Sequence, residues 1–129
     1  MTYYISKKLT DITFDDAVVK VTDALSAEGF GVLTDIDVKA TMKKKLDLDF
    51  RAYRILGACN PQLAYKALTA EDKIGTMLPC NVVVQETEDG GLEVAAVDPV
   101  ASMLAVENPA LTDLAETVRD KLAHVIETL

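Results

Sequence analysis

Apolar positions alternate with polar ones at the start of the chain and then change to a helical spacing. Residues 2–9 alternate, which predicts a strand. From Phe14 onwards the apolar residues recur at i, i+3, i+4 and i+7, which predicts an amphipathic helix over residues 14–28. Thr13 carries the hydroxyl oxygen expected of a helix N-cap, and Gly29 is a typical helix stop.

Alternation returns in the next segment, and residues 31–38 predict a second strand. We expect its two faces to hold Val32, Ile36 and Val38 on one side and Asp35 and Asp37 on the other. Apolar residues spaced by four predict a short helix over residues 38–47, and residues 50–58 predict a third strand. The short helix carries a lysine cluster, which we interpret as a solvated face: Lys39, Lys43, Lys44 and Lys45.

Prolines mark the later helix starts. Asn60-Pro61, Asp98-Pro99 and Asn108-Pro109 each combine a capping side chain with proline at the first helical position. The last of them opens an amphipathic helix over residues 109–128. Between the first two, residues 81–87 and 92–98 predict strands joined by the hairpin sequence Glu88-Asp89-Gly90-Gly91.

This order of elements decides the fold class. A doubly wound sheet needs strict alternation of strands and helices and usually a glycine-rich phosphate turn, and the sequence has neither. Strands that close in a hairpin, with helices packed on one face, indicate a two-layer α+β fold with a mainly antiparallel sheet. At 129 residues, a single domain over residues 1–129 is expected.

Charge and composition exclude several classes of partner. The 13 basic and 21 acidic residues give a net charge of −8, which argues against nucleic acids and against anionic membranes. The N-terminal residues do not resemble a signal peptide, and two cysteines fit a reducing compartment, so a cytoplasmic location is expected. The mean hydropathy of +0.16 is high for a small monomer and favours a homodimer.

Candidate chemistry is sparse. The single histidine, His124, is expected on the solvent side of the last helix, which excludes a serine triad and a histidine-based zinc site. Phosphate-binding glycine loops and Cys-x-x-Cys pairs do not occur in the sequence. The carboxylates Glu86 and Glu93 lie on or beside the hairpin. Core packing is the default interpretation of Met77, Met103 and Leu104, and lining an apolar pocket or a dimer face is the alternative.

Two cysteine–asparagine pairs form the candidate ligand or thiol site: Cys59-Asn60 and Cys80-Asn81, with Asp98 added from the hairpin end. Cys59 directly precedes a helix start, where a thiolate is favoured, so we expect it to be the more acidic thiol. Burial as two small apolar residues is the structural alternative. The two thiols lie near each other only if their strands run antiparallel. Their metal affinity and any cofactor stay open, with soft monovalent metals as one possibility.

Several runs of residues together resemble one known family. They are Tyr53-Arg54-Ile55-Leu56-Gly57-Ala58-Cys59-Asn60-Pro61, Ile74-Gly75-Thr76-Met77-Leu78-Pro79-Cys80-Asn81 and Val97-Asp98-Pro99. The chain resembles the domain of unknown function 302 family over essentially its whole length. The resemblance implies a small α+β domain that is dimeric and also occurs as tandem copies. It implies no established activity, substrate or cofactor, so no catalytic residue can be transferred.

Three functional hypotheses follow. The first is a dimeric binding module for a small molecule or metal ion, with a pocket near the Cys-Asn segments. The second is a thiol-based redox protein that uses Cys59. The third is a domain whose only role is to dimerise or interact. The missing acid–base and nucleotide motifs make an enzyme the less favoured interpretation, and a pocket lined by both cysteines would favour the first two hypotheses.

Overall fold

The chain folds into one five-stranded sheet and several helices. In this computed structural model, residues 2–129 are described. The strands are β1 (Tyr4–Leu9), β2 (Gly31–Asp37), β3 (Tyr53–Cys59), β4 (Cys80–Glu86) and β5 (Leu92–Val97). The helices are α1 (Phe14–Ala27), α2 (Val38–Leu46), α3 (Pro61–Ala70), α4 (Pro99–Ser102) and α5 (Pro109–Glu127), with a 3-10 turn at Ile74–Met77. The strand order is β1-β5-β4-β3-β2, with all neighbours antiparallel, so the predicted α+β class is confirmed.

Side-chain caps begin the helices where the sequence predicted them. The cap oxygens accept backbone N–H groups two or three residues further along, which satisfies donors that a helix start leaves free. The capping contacts are Thr13 from Asp16 at 3.2 Å, Asn60 from Leu63 at 3.3 Å, Asp98 from Val100 at 2.9 Å and Asn108 from Ala110 at 3.0 Å.

Helices α1 and α5 cover one face of the sheet, which we call the inner face. Alternate strand residues point to this face, and those of the two central strands are almost fully buried. They pack with the apolar stripes of the two helices into the main core. Its most buried members are Val21, Leu25, Leu56, Val82, Val84, Val94, Leu122 and Val125.

A bulge in β2 overturns the predicted faces of that strand. Val32 is paired with Ala58 but Thr34 is paired with Gly57, so one residue is inserted between the two pairs. The insertion exchanges the faces of every later residue, and Ile36 therefore lies opposite Val32 rather than beside it.

The aspartates of β2 consequently share the face of Val32, contrary to the prediction. Asp35 lies next to Arg54 of β3, with 2.6 Å between Oδ2 and Nη1, while Asp37 accepts the backbone N–H of Ala40 and caps α2. Val38, predicted as the strand's last residue, belongs to α2. The cross-strand ion pair explains how two carboxylates are tolerated on this side of the edge strand.

Helix α5 joins the main core to a smaller one. Leu122 and Val125 belong to the main core, whereas Leu111 packs with Ala67 of α3 and Ile74 of the 3-10 turn. The predicted stripe is confirmed, and the structure adds Ile126, which is also buried. The space between the two cores, at one end of the sheet, is where the candidate site lies.

Candidate functional site

The antiparallel pairing of β3 and β4 brings the two cysteines to the same end of the sheet. Ala58 is paired with Cys80, and Cys59 lies one residue further along its strand. Ordinary strand geometry then places the two cysteine α-carbons about 6 Å apart. Both thiols are free; Cys80 is buried and Cys59 is partly exposed. The strand direction that the sequence left open is therefore the one that makes the cysteines neighbours.

Both cysteines line a cavity of about 290 Å³, which we call the thiol pocket. Helices α3 and α5 form its walls, and the end of the sheet forms its base. Within residues 2–129, no charged side chain lines it. The side chains that line it include Cys59, Asn60, Leu63, Ala64, Cys80, Met103, Leu114 and Val118.

Asn60 is the polar residue of the pocket wall, and the turn after α1 holds it in place. Its Oδ1 accepts the backbone N–H of Leu63 as the cap of α3. Gly29 lies against its amide: a β-carbon at Gly29 would stand 3.0 Å from Asn60 Nδ2. Gly29 also has φ +85°, a conformation that favours glycine. The glycine predicted as a helix stop thus also leaves room for the polar group of the site.

Gly57 brings the strand that carries Cys80 close to β3. A β-carbon at this position would overlap the Thr34 hydroxyl and lie 2.8 Å from Pro79 Cγ. Those distances are shorter than van der Waals contact, so only glycine lets Thr34 and Pro79 pack here. Pro79 immediately precedes Cys80, and the close approach fixes where β4 begins.

Burial decides the chemistry of one thiol. Cys80 is buried in the main core, where its thiol is removed from water. This desolvation, with a smaller contribution from neighbouring Cys59, raises the pKa of Cys80 to about 11. A low-dielectric environment disfavours the thiolate, so Cys80 is a neutral thiol at physiological pH. It presents a small apolar surface to the pocket.

The structure separates the remaining candidate residues from the thiol pocket. Asn81 is exposed and lies with Val83 and Gln85 in a shallow depression on the opposite face of the sheet. The carboxylate of Asp98 caps α4, where it accepts from Val100 and Ala101 at 2.9 and 3.4 Å. Of the five predicted site residues, Cys59, Asn60 and Cys80 therefore meet.

Sequence reasoning missed the helix residues of the wall. Leu114 and Val118 were interpreted as part of a core stripe, yet both line the pocket. Met103, for which pocket lining was the alternative to core packing, lines it as well. The signal available was the width of the α5 stripe, which offers more apolar residues than one sheet face needs. Their convergence depends on the docking of α3 against α5, a tertiary contact that local spacing does not encode.

The other titratable groups offer no second centre in the described residues. Across residues 2–129, no three His, Cys, Asp or Glu side chains group as metal ligands. The His124 side chain is 61% exposed and pairs with Glu28, in agreement with its predicted solvent position. Over the same range, no helix is both long enough and apolar enough to cross a membrane.

The sequence model of the family described as Domain of unknown function DUF302 matches residues 5–129. The chain belongs to this family. The resemblance inferred from the sequence motifs is thereby confirmed. A search of curated proteins finds no match for the chain.

A solved DUF302 structure shares the whole fold. It is the crystal structure of an uncharacterised conserved DUF302 protein from Bacillus stearothermophilus, at 26% sequence identity and a TM-score of 0.91. The match covers 98% of each chain. The family and the solved structure show the fold, and neither description names an activity. The thiol pocket is therefore the feature from which a function can be inferred.

Proposed function

We propose that the protein binds a small, predominantly apolar molecule in the thiol pocket. The observation that carries the proposal is the lining: a cavity of about 290 Å³ whose mostly aliphatic walls also hold one phenylalanine, one methionine, two thiols and one amide. Its volume is close to the lower end of the range for small-molecule sites, and an apolar wall with few polar groups is their usual composition.

The lining also selects the charge of the ligand. Transferring an unpaired charge into an apolar cavity is strongly unfavourable, and the wall offers no charged partner within the described residues. A neutral molecule therefore fits, or one whose charged end stays at the pocket mouth. The amide of Asn60 is the group available to orient a polar atom of the ligand.

The buried thiol supports binding rather than nucleophilic chemistry. Thiol–disulfide exchange begins with a thiolate, and burial keeps Cys80 protonated, so Cys80 serves as an apolar group of the wall. Methionine is flexible and polarisable, so Met103 suits a wall that adapts to an apolar ligand. Two unpaired thiols also fit a reducing compartment, and we place the protein in the cytoplasm on that ground.

A neutral fluorescent probe tests the proposal. We expect 1-N-phenylnaphthylamine to bind the folded protein in titrations, with increased fluorescence and a stoichiometry of one per chain. Ala64→Phe fills the pocket from α3 and should weaken binding about tenfold or more, because the added ring occupies the ligand volume. Ala70→Phe is the matched control, since Ala70 is exposed at the end of the same helix, and it should bind as the wild type does.

Alkylation gives an independent measurement. Cys59 lines the pocket and is partly exposed, so bound probe should slow its reaction with iodoacetamide. Equal probe affinity in the Ala64→Phe and wild-type proteins, with Cys59 alkylated at an unchanged rate, would reject the thiol pocket as the binding site.

A further inference from the structure

The face of the sheet opposite the two helices, which we call the outer face, is crossed by a continuous uncharged row. Strand register aligns one residue from each strand in this row, because directly paired residues share a face. We call it the outer row: Ser6, Ala95, Val83, Ile55 and Ile36. Its four apolar members belong to neither buried core.

The central strands have the sequence of strands that are covered on both sides. β4 contains the run Val82-Val83-Val84, and β5 contains Val94-Ala95-Ala96-Val97. A sheet with one solvated face shows a clean apolar–polar alternation, whereas near-continuous apolar runs are typical of sheets buried on both faces. The helices account for one side of these runs.

Polar and aromatic groups border the outer row. On one side Arg51 donates to Gln85 at 2.9 Å, and Gln85 donates to Glu93 at 3.1 Å. At the β1 edge, Tyr3 and Tyr4 form an edge-to-face pair with ring centroids 5.1 Å apart and exposures of 70% and 43%. An apolar centre with a polar rim and exposed tyrosines is the composition of a protein–protein interface.

We propose that a second copy of this chain packs on the outer face, sheet against sheet, about a two-fold axis near Val83. β4 is the middle strand of the five, and Val83 is the central residue of the outer row. A two-fold axis there places the row of one copy on the row of the other, so that the same apolar residues meet from both sides. This inference does not depend on the thiol pocket, which lies at the end of the sheet.

The area of the outer face corresponds to a small but specific interface. Five strands about 4.8 Å apart, with three rows of outward side chains about 7 Å apart, give a face of roughly 500 Å². Two copies together bury about 1,000 Å², without the additional area of side chains that protrude from the sheet. This value reaches the lower limit for a specific interface. The adjacent Tyr3 and Tyr4 rings enlarge this area.

The charge of the chain argues against nucleic acids and anionic membranes as occupants of the outer face. With a net charge of −8 and an uncharged outer row, the protein lacks the basic surface that nucleic acids or anionic membranes require. Repulsion between two acidic copies is kept low because the five residues that meet at the centre carry no charge. Two packed sheets also lie within ordinary sandwich geometry.

Sedimentation equilibrium tests the interface. The wild-type protein should sediment at about twice 14.0 kDa at micromolar concentration. Val83→Lys places like charges at the axis and should weaken dimerisation about 30-fold or more, the size of a hot-spot loss. Val19→Lys is the matched control, because Val19 is 58% exposed on α1, and it should leave the dimer intact.

A mixture of two oppositely charged variants distinguishes loss of the interface from loss of folding. Val83→Lys and Val83→Glu should each be monomeric with wild-type circular dichroism, and an equimolar mixture should regain the dimer. A monomeric wild type at 100 µM, a dimer that survives Val83→Lys, or a mixture that stays monomeric would overturn the proposal.

Discussion

The two faces of the sheet carry similar apolar residues in very different surroundings. On the inner face, Val82, Val84 and Val94 are completely buried beneath α1 and α5. On the outer face, Val83 and Ala95 lie on the same strands, one residue away, and remain partly exposed. Helix packing therefore explains only half of the apolar content of the central strands. The second apolar face of β4 and β5 has no packing partner among the helices, and the proposed sheet-to-sheet dimer would cover it.

The largest loss of stability is expected from a substitution in α5, which covers the inner face. Leu122→Ala removes a fully buried side chain from the inner layer and should lower the free energy of unfolding by roughly 2–5 kcal/mol in urea melts. His124→Ala, two residues away with an exposed side chain, should change it by less than about 0.5 kcal/mol. Similar losses for both variants would show that the helix is rotated from the orientation described.

The adjacent valines of β4 compare the two faces directly. Val82→Ala should cost about 2 kcal/mol, because a buried cavity results. Val83→Ala should cost less than about 1 kcal/mol. Val82→Ala is measured in the Val83→Lys background, which is expected to be monomeric, and Val83→Ala is measured at a concentration low enough to keep the chain monomeric. Equal costs in urea melts would mean that something already covers the outer face within one chain.

A smaller effect on stability, dependent on pH, is expected for Cys80, which lies on the inner face. Its folded pKa of about 11 lies above the ordinary thiol value of 9.0. The unfolded chain therefore loses this proton first as pH rises, and stability is lost between about pH 9 and 11.

The comparison of wild type with Cys80→Ala isolates this contribution. The stability difference between the two proteins should change by about 2 kcal/mol from pH 8 to pH 11, to the disadvantage of the wild type. Parallel pH profiles of unfolding free energy would show that the Cys80 thiol is solvated rather than buried.

Local signals allowed much of the fold to be predicted. Each cap needs only a side chain and the backbone two or three residues away, so Thr13, Asn60, Asp98 and Asn108 were identified correctly. The hairpin between β4 and β5 is equally local.

Features that depend on tertiary contacts were not predictable in the same way. The bulge in β2 is compatible with the alternating sequence, yet it reverses the faces of Asp35 and Ile36 because pairing with β3 sets the register. The same holds for the site. The sequence left open whether Cys59 and Cys80 are close, because this depends on the direction in which β3 and β4 pair. Asn81, adjacent in sequence to Cys80, points to the other face.

The bulge in β2 also limits how these sheets can polymerise. β2 is an edge strand, and a straight edge strand offers unpaired N–H and C=O groups to any other chain. The inserted residue interrupts that regular row, and Asp35 and Asp37 add charge along it. Open-ended growth from this edge into fibrils is thereby discouraged, whereas the proposed pairing through the outer face would close after two copies.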